Sequence, residues 1–272
     1  MELLKKYAEF DWQQNKASVD NSFIMPPASA PFFEKLGFKI RYKLFTVRWK
    51  LRVLYSYLFV AIFYPKIFHI QLEARRNGGY AKDMQWVRLE ELVRLVKEFN
   101  PSTICECGSG TSSALFAVLR PKQVTTFEED AYWIERTLVQ MGDIRQLINL
   151  QHAERIVKEK DGELVCYYDI DHTKHYDFVY VDGPFSGNIP EQFKNGTIKD
   201  PAGFMPNIDV ELFWENGVFP KVIVIDCRRA SVRRFLEKAG GKYKVILSTN
   251  LYWNAQLAGC GADIYHTVLV RK

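Results

Sequence analysis

The chain has 272 residues, 47% hydrophobic and 14% aromatic, which is enough for one folded domain of about 180 residues with an additional segment. Its net charge of +5 is uneven, because residues 1–84 carry 14 Lys and Arg against 7 Asp and Glu, while the remainder carries 23 against 25. Five cysteines without a CxxC pair, and no secretory signal in Met1–Lys6, argue against a disulfide-rich secreted protein and predict a cytoplasmic location.

Residues 1–83 predict a basic, aromatic-rich and mainly helical N-terminal extension to a domain that spans residues 84–272. Seven basic residues and no acid lie between Lys35 and Arg52, and twelve uncharged residues follow from Val53 to Tyr64. Twelve residues are too few to cross a bilayer, which needs about 20. Two interpretations of residues 35–68 stay open. They form a lid or dimer element, or they lie on an anionic membrane surface, which would make the protein peripheral at the inner face of a membrane.

The basic residues of this segment do not give a clean amphipathic helix. At helical spacing they divide between two nearly opposite faces, with Lys39, Lys43 and Lys50 on one and Arg41, Arg48 and Arg52 on the other. No recognition motif for nucleic acid accompanies the run, so nucleic acid is not a favoured partner.

Residues 104–113 predict a strand, a glycine turn and the start of a helix. Thr103–Cys107 is a short apolar run that suits a buried parallel strand. Residues 114–119 are apolar and compatible with a helix, which Ser112 or Ser113 caps. Gly108 and Gly110 lie between them and let the backbone turn and approach a ligand closely. The pattern is typical of a site for a nucleoside-bearing cofactor, although an ordinary strand–helix turn would share it.

The acids around the turn decide which cofactor is expected. A dinucleotide fingerprint has a third glycine where this chain has Ser113, and an ionised Glu106 would repel a pyrophosphate but attract an amino group. Glu128 and Glu129 follow the predicted second strand, where an acid accepts hydrogen bonds from ribose hydroxyls. Together these residues favour S-adenosyl-L-methionine over NAD. An NAD-dependent oxidoreductase and a non-catalytic nucleoside-binding module remain the alternatives.

The remaining elements predict a Rossmann-like, doubly wound, mostly parallel seven-stranded sheet. Strands are expected at residues 147–151, 177–182, 221–226, 243–248 and 264–270, with the last two as an antiparallel pair. Helices are expected near residues 89–96, at 131–141 capped by Asp130, and at 230–239. In such sheets the ligand lies beyond the carboxyl ends of the strands. Five polar side chains stand at predicted strand ends: Glu106, Glu128, His152, Asp182 and Asp226.

In its order of motifs, the chain from residue 84 onward resembles the class I S-adenosylmethionine-dependent methyltransferases. The first motif is Glu106–Gly110, and Val181–Pro184, with the sequence VDGP, resembles a branch common in bacterial genomes. The resemblance implies that the cofactor is bound by Glu106, Gly108, Ser109, Gly110, Thr111, Ser112, Glu128, Glu129, His152, Ala153 and Asp182. His152 is expected to contact adenine.

The resemblance also implies the chemistry and a possible metal. Asp182 and Asp226 match the positions where catechol-type relatives hold a divalent metal. Cys227 replaces the usual Asp or Asn there, so a metal is possible but not favoured, and no metal ligand is predicted. The expected reaction is methyl transfer to an oxygen of a sugar, glycolipid or small-molecule hydroxyl, with Asp182 as the first candidate base and Asp226 as the second.

Three further groups of residues are expected around the acceptor. The loop 183–210 is long enough to form an acceptor pocket, with Asn188, Gln192 and Asn207 as hydrogen-bonding residues. Arg228 or Arg229 would hold an anionic acceptor. Tyr80 and Gln85 are expected near the mouth of the cofactor site.

Overall fold

The computed structural model describes residues 29–76, 84–187, 189–199, 204–226, 228–248 and 266–272. The helices in this part of the chain are α1 (Phe32–Phe63), α2 (Pro65–Arg76), α3 (Met84–Phe99), α4 (Thr111–Leu119), α5 (Ala131–Met141), α6 (Asp209–Glu215) and α7 (Arg229–Ala239). The strands are β1 (Thr103–Cys107), β2 (Gln123–Glu128), β3 (Asn149–His152), β4 (Arg155–Lys160), β5 (Glu163–Tyr168), β6 (Phe178–Val181), β7 (Val222–Asp226), β8 (Tyr243–Ser248) and β9 (His266–Arg271). In the described residues, short 3-10 helices cover Gly142–Leu147 and Glu191–Phe193.

Seven strands form one sheet in the order β3-β2-β1-β6-β7-β9-β8, and β4 pairs with β5 in a separate antiparallel hairpin. The first five strands of that order are parallel, while β9 runs antiparallel to both of its neighbours. This arrangement confirms the predicted Rossmann-like, mostly parallel sheet of seven strands. The order reverses between β1 and β6, so a crevice opens at the carboxyl ends of these two strands.

Hydrophobic side chains alternate between the two faces of the sheet. Ile104, Phe178 and Tyr180 join the core on the face covered by α3 and α4. Cys105 and Cys107 join the core on the opposite face, where Phe213 of α6 and Phe235 of α7 also lie. Buried strands with apolar residues on both faces are expected of a parallel sheet covered by helices on both sides.

Several element boundaries follow local signals, while the hairpin was not predicted. The Asp130 carboxylate accepts a hydrogen bond from the Tyr132 N–H at 2.8 Å, which confirms it as the cap of α5. The third strand begins at Asn149 rather than Leu147, because the 3-10 helix occupies the residues before it. Strands β4 and β5 lie between the predicted third and fourth strands, where the sequence predicted no element.

The N-terminal helices share the core of the domain. Val60 and Tyr64 at the end of α1, and Ile67 and Ile70 of α2, are buried in the same cluster as the residues of α3 and α4. The described helices include none that is both long enough and apolar enough to cross a membrane.

Candidate active site

A cavity of about 630 Å³ lies at the carboxyl edge of β1, β2 and β6, where the strand order reverses. Its floor is the turn after β1, with Gly108, Ser109, Gly110, Thr111 and Ser112. Its walls come from helices α2, α3 and α5 and from the turn after β6. The helices contribute Gln71 and Ala74 (α2), Gln85 and Arg88 (α3), and Trp133, Arg136, Thr137 and Gln140 (α5). The turn after β6 contributes Asp182, Gly183 and Phe185. Glu128, Glu129, Asp130, Arg155, Tyr168 and Arg228 complete the lining.

The two glycines of the turn have different roles. Gly108 has φ of +97°, and a Cβ there would lie 2.7 Å from the Gly183 nitrogen, so this glycine lets the turn after β1 pack against the turn after β6. Gly110 has extended φ of 163°, and a Cβ there would have no atom of the described residues within 4 Å. The space beside Gly110 is therefore open to a ligand.

The first turn of α4 is closed by Ser113. Its hydroxyl accepts a hydrogen bond from the Gly110 N–H at 3.1 Å, and the Ser113 N–H donates to the Gly110 carbonyl at the same distance. This reciprocal arrangement satisfies one of the N–H groups that a helix leaves unpaired at its start. The residue that replaces the third glycine of a dinucleotide fingerprint is thus a helix-capping residue.

Glu128, at the end of β2, is directed into the cavity and held by backbone donors. Its carboxylate accepts hydrogen bonds from the Ser109 N–H at 2.7 Å and from the Asp130 N–H at 3.1 Å. Burial raises the pKa of Glu128, and these two hydrogen bonds oppose the rise. Each carboxylate oxygen still has acceptor capacity, so Glu128 can accept further hydrogen bonds from ligand hydroxyls.

Glu129 lines the same wall, but both of its oxygens bind the protein. One accepts a hydrogen bond from the Phe185 N–H at 2.8 Å and the other accepts one from the Tyr168 hydroxyl. Glu129 therefore positions the turn after β6 against β5.

Glu106 lies beneath the turn, fully buried and outside the cavity lining. One of its oxygens accepts a hydrogen bond from the Thr126 hydroxyl at 2.7 Å, and the other, Oε1, has no hydrogen-bond partner among the described residues. Burial raises the pKa of Glu106 to about 7, and the hydroxyl groups of Ser112, Ser113 and Thr126 around the carboxylate oppose that rise. A buried carboxylate with an unpaired oxygen has a strong tendency to pair with a cation that approaches it.

Asp182 and Asp226 meet at the other end of the cavity, with Arg88 between them. The Arg88 Nη1 lies 3.4 Å from the Asp182 Oδ2 and also contacts the Asp226 Oδ2. The Asp182 side chain lines the cavity and is 38% exposed, whereas Asp226 is 1% exposed and lies below it. Desolvation, followed by the negative charge of Asp226, raises the pKa of Asp182 to about 7.

In the part of the chain that the structure describes, the Asp182 and Asp226 carboxylates do not have the donor set of a metal site. The described residues contain no group of three His, Cys, Asp or Glu side chains placed to hold a metal ion. The guanidinium of Arg88 contacts both carboxylates. The donor set as it stands therefore fits an arginine better than a metal ion. Cys227 lies outside the described residues.

Some predicted site residues lie away from the cavity. His152 is exposed at the tip of the edge strand β3, with its Nε2 3.1 Å from the Glu129 carbonyl oxygen, and neither His152 nor the buried Ala153 lines the cavity. Asn207 is buried and donates to the Gly183 carbonyl at 2.8 Å, so it supports the turn after β6 rather than facing an acceptor. Gln192 is also outside the lining. Tyr80 and Asn188 are outside the described residues, and the Arg229 side chain is likewise not described.

The sequence alone did not indicate several residues that the fold brings to the site. Arg88 belongs to a helix that precedes β1, and only the packing of that helix against the sheet reveals its proximity to Asp182 and Asp226. Trp133 and Arg136 occupy one face of α5, with the guanidinium 5.1 Å from the ring centroid. A helix that begins directly after the acid at the end of β2 is a signal that could have placed them near the cavity.

Unsatisfied polar atoms concentrate around the cavity. Four buried atoms have no hydrogen-bond partner among the described residues and belong to side chains in or beneath its walls: Gln85 Oε1, Glu106 Oε1, Arg136 Nη2 and Arg228 Nε. Since buried polar groups are normally hydrogen-bonded, this concentration indicates a polar ligand at the site. Gln85 and Arg228 were both expected near the ligand from the sequence.

Comparisons with known proteins found no matching family model and no matching curated protein. Among solved structures, the O-methyltransferase TomG of Streptomyces achromogenes, involved in tomaymycin synthesis and solved with SAM, is similar at 16% identity over 76% of this chain and 89% of that one, with a TM-score of 0.45. An O-methyltransferase of Bacillus cereus, solved with SAH, is similar at 15% identity over 79% and 96%, with a TM-score of 0.46.

A third structure, a putative caffeoyl-CoA O-methyltransferase of Staphylococcus aureus, is similar at 14% identity over 82% of this chain and all of that one, with a TM-score of 0.47. At such identities and TM-scores the likeness assigns no function, and the assignment depends on the geometry of the site.

Proposed function

We propose that the protein is an S-adenosylmethionine-dependent O-methyltransferase acting on a sugar, glycolipid or small-molecule hydroxyl. The observation that carries the proposal is the cavity at the reversal of strand order, which has the glycine turn as its floor and the Glu128 carboxylate as a wall. Ligands of doubly wound sheets bind at this position.

The binding groups match the parts of that cofactor. Glu128 accepts hydrogen bonds from the ribose hydroxyls, and the open space at Gly110 lets the ligand approach the start of α4, whose N–H groups receive the carboxylate. The unpaired oxygen of Glu106 attracts the ammonium group from below the turn. Trp133 offers an aromatic face to the adenine.

A dinucleotide fits the same turn less well. In dinucleotide-binding folds the N–H groups of the glycine turn bind the pyrophosphate. Here the Ser109 N–H already donates to the Glu128 carboxylate at 2.7 Å, so that donor is occupied by an anion of the protein. The sheet also departs from the parallel order of those folds, because antiparallel β9 lies beside β7.

The chemistry requires a positioned base and little else from the chain. Bound S-adenosylmethionine supplies a methyl group on a positively charged sulfur. Asp182 accepts the proton of the acceptor hydroxyl as the oxygen attacks that methyl carbon and the carbon–sulfur bond breaks. With a pKa of about 7, a substantial fraction of Asp182 is ionised near neutral pH and basic enough to take the proton. Arg88 holds the Asp182 and Asp226 carboxylates together, and the Arg228 Nη2 donates to the Asp182 carbonyl at 2.6 Å.

A thermal-shift assay distinguishes the proposal from its two alternatives. We expect S-adenosylhomocysteine to raise Tm and NADH to leave it unchanged, because a ligand stabilises only the state that binds it. The reverse result would support an oxidoreductase. Binding of the nucleoside without transfer of labelled methyl to any extract fraction of glycans, lipids or small molecules would support the binding module.

A further inference from the structure

Helix α1 carries a long apolar stripe on the side that faces away from the domain. Its members follow helical spacing, are each 40–67% exposed, and are Leu36, Ile40, Leu44, Val47, Leu51, Leu54, Leu58 and Ile62. From the first to the last the stripe extends about 39 Å along the helix axis. Contiguous exposed apolar surface of this size marks an interaction site rather than ordinary solvent-facing surface.

The opposite side of α1 packs against α3 and forms ion pairs with it. Arg52 forms ion pairs with Glu90 and with Glu91, the latter at 3.4 Å, and Ser56 is completely buried beside it. Tyr57 packs edge-on against Trp86 with ring centroids 5.0 Å apart. These contacts fix which side of the helix is turned outward, so the exposed stripe is a property of the folded protein.

Lysines border the stripe on its exposed side. Lys39, Lys43 and Lys50 are exposed and lie about 60–100° around the helix axis from the centre of the stripe. Arg52, which the sequence placed on a second basic face, is directed into the interface with α3. The apparent lack of amphipathic character therefore arises because part of the basic charge stabilises the packing of α1.

The charge distribution decides what covers the stripe. Residues 35–52 contain seven basic residues and no acid. Against a second copy of α1, which spans Phe32–Phe63, this basic segment would face its counterpart along its whole length in a parallel pair and at residues 43–52 in an antiparallel pair, and this repulsion disfavours a helical dimer. A surface of anionic lipid offers acyl chains to the leucines and negative headgroups to the lysines.

We propose that α1 docks the protein on anionic membrane surfaces, with the apolar stripe buried at the headgroup boundary and Lys39, Lys43 and Lys50 on the lipid phosphates. The helix lies in the plane of the interface. The proposal does not depend on the reaction at the cavity, because the side chains of the stripe are not among those that line it.

Co-sedimentation of the full chain with vesicles tests this docking. We expect binding to vesicles of phosphatidylcholine mixed with phosphatidylglycerol, and little binding to phosphatidylcholine alone. Lys43→Glu with Lys50→Glu should weaken binding at least 25-fold, roughly fivefold for each cation lost near the surface. Leu44→Ser with Leu51→Ser should weaken it to a similar extent. Both pairs are exposed, so folding should be unaffected.

The control is an equal reversal of charge elsewhere, Lys122→Glu with Lys272→Glu, which should reduce vesicle binding by less than about threefold. S-Adenosylhomocysteine binding, measured on each variant, reports separately on the cavity and should not change. Equal loss of binding in the control would overturn the proposal, as would failure to bind the anionic vesicles. A dimer in solution that Leu44→Ser with Leu51→Ser dissociates would also overturn it, and would identify a second copy as the occupant.

Discussion

Several neighbouring groups set the pKa of Asp182, and this pKa determines at which pH Asp182 can act as a base. Partial desolvation at the cavity wall and the neighbouring Asp226 carboxylate raise its pKa to about 7, while Arg88 and Arg228 oppose that rise. Because only the ionised form accepts a proton, we expect the rate of methyl transfer to rise with pH through about 7 and then level off. The measurement is transfer of labelled methyl to a hydroxyl-containing extract fraction at a series of pH values.

The Asp182→Asn variant should transfer methyl groups at least about 100-fold more slowly, because an amide cannot act as the base. It should still bind S-adenosylhomocysteine, which separates loss of the base from loss of the site. Wild-type rates in this variant would remove Asp182 from the mechanism.

Glu106 should make cofactor binding depend on pH. An ammonium group favours the ionised carboxylate, so binding lowers the pKa of Glu106 from its value of about 7 in the free protein. Affinity for S-adenosylhomocysteine should therefore increase about tenfold between pH 6 and pH 8. In Glu106→Gln, the affinity should be low and nearly independent of pH. An unchanged pH dependence in this variant, measured by calorimetry, would show that Glu106 does not meet the ammonium.

The sequence predicted site residues that stand at the end of a buried strand. It did not predict site residues that only tertiary packing brings to the cavity. Glu128 ends β2 and Asp182 directly follows β6, and the ends of such buried strands converge at one edge of a parallel sheet. His152 also ends a strand, but β3 is at the edge of the sheet, away from the reversal of strand order. Arg88 reaches the site only because α3 packs against the sheet, and no local sequence pattern encodes that packing.

At the scale of elements, the turn after β1 contains two glycines with different roles. The fold requires Gly108, and we expect ligand binding to require Gly110. Gly108→Ala should lower the free energy of unfolding by about 1–3 kcal/mol, because of its positive φ and the close approach to Gly183. Gly110→Ala should leave stability nearly unchanged and weaken S-adenosylhomocysteine binding. Chemical denaturation and calorimetry on both variants provide the test. A Gly110→Ala variant that binds normally would place the ligand elsewhere in the cavity.

The elements that the sequence predicted well have strong local signals. Strand β1 and helix α5 were predicted with their observed limits, because one is an apolar run and the other has a capping aspartate. The hairpin of β4 and β5 was missed. Its first strand, with the sequence RIVKEK, is half-buried and largely charged, and β5 becomes buried through contacts with residues distant in sequence, such as the Pro206 carbonyl. Tertiary packing here overrides weak local preference.

At the scale of the whole molecule, the N-terminal helices and the sheet should unfold together. Ile67 of α2 is completely buried in the core shared with α3 and α4. Ile67→Ala should destabilise the entire protein by about 2–5 kcal/mol, in one transition, because it leaves a cavity in that core. Calorimetric unfolding measures this. A separate low-temperature transition, with the main one unchanged, would show that the extension is an independent unit.

Glu128 is the group we expect to hold a sulfonium nucleoside in the cavity, and a calorimetric titration of S-adenosylhomocysteine tests this role most directly. We expect saturable binding at one site in the wild-type protein, and binding weaker by about tenfold or more in Glu128→Gln, which loses a charged acceptor. Circular dichroism of both proteins should show the same fold. No heat of binding with folded wild-type protein, or equal affinity in the two proteins, would contradict the account.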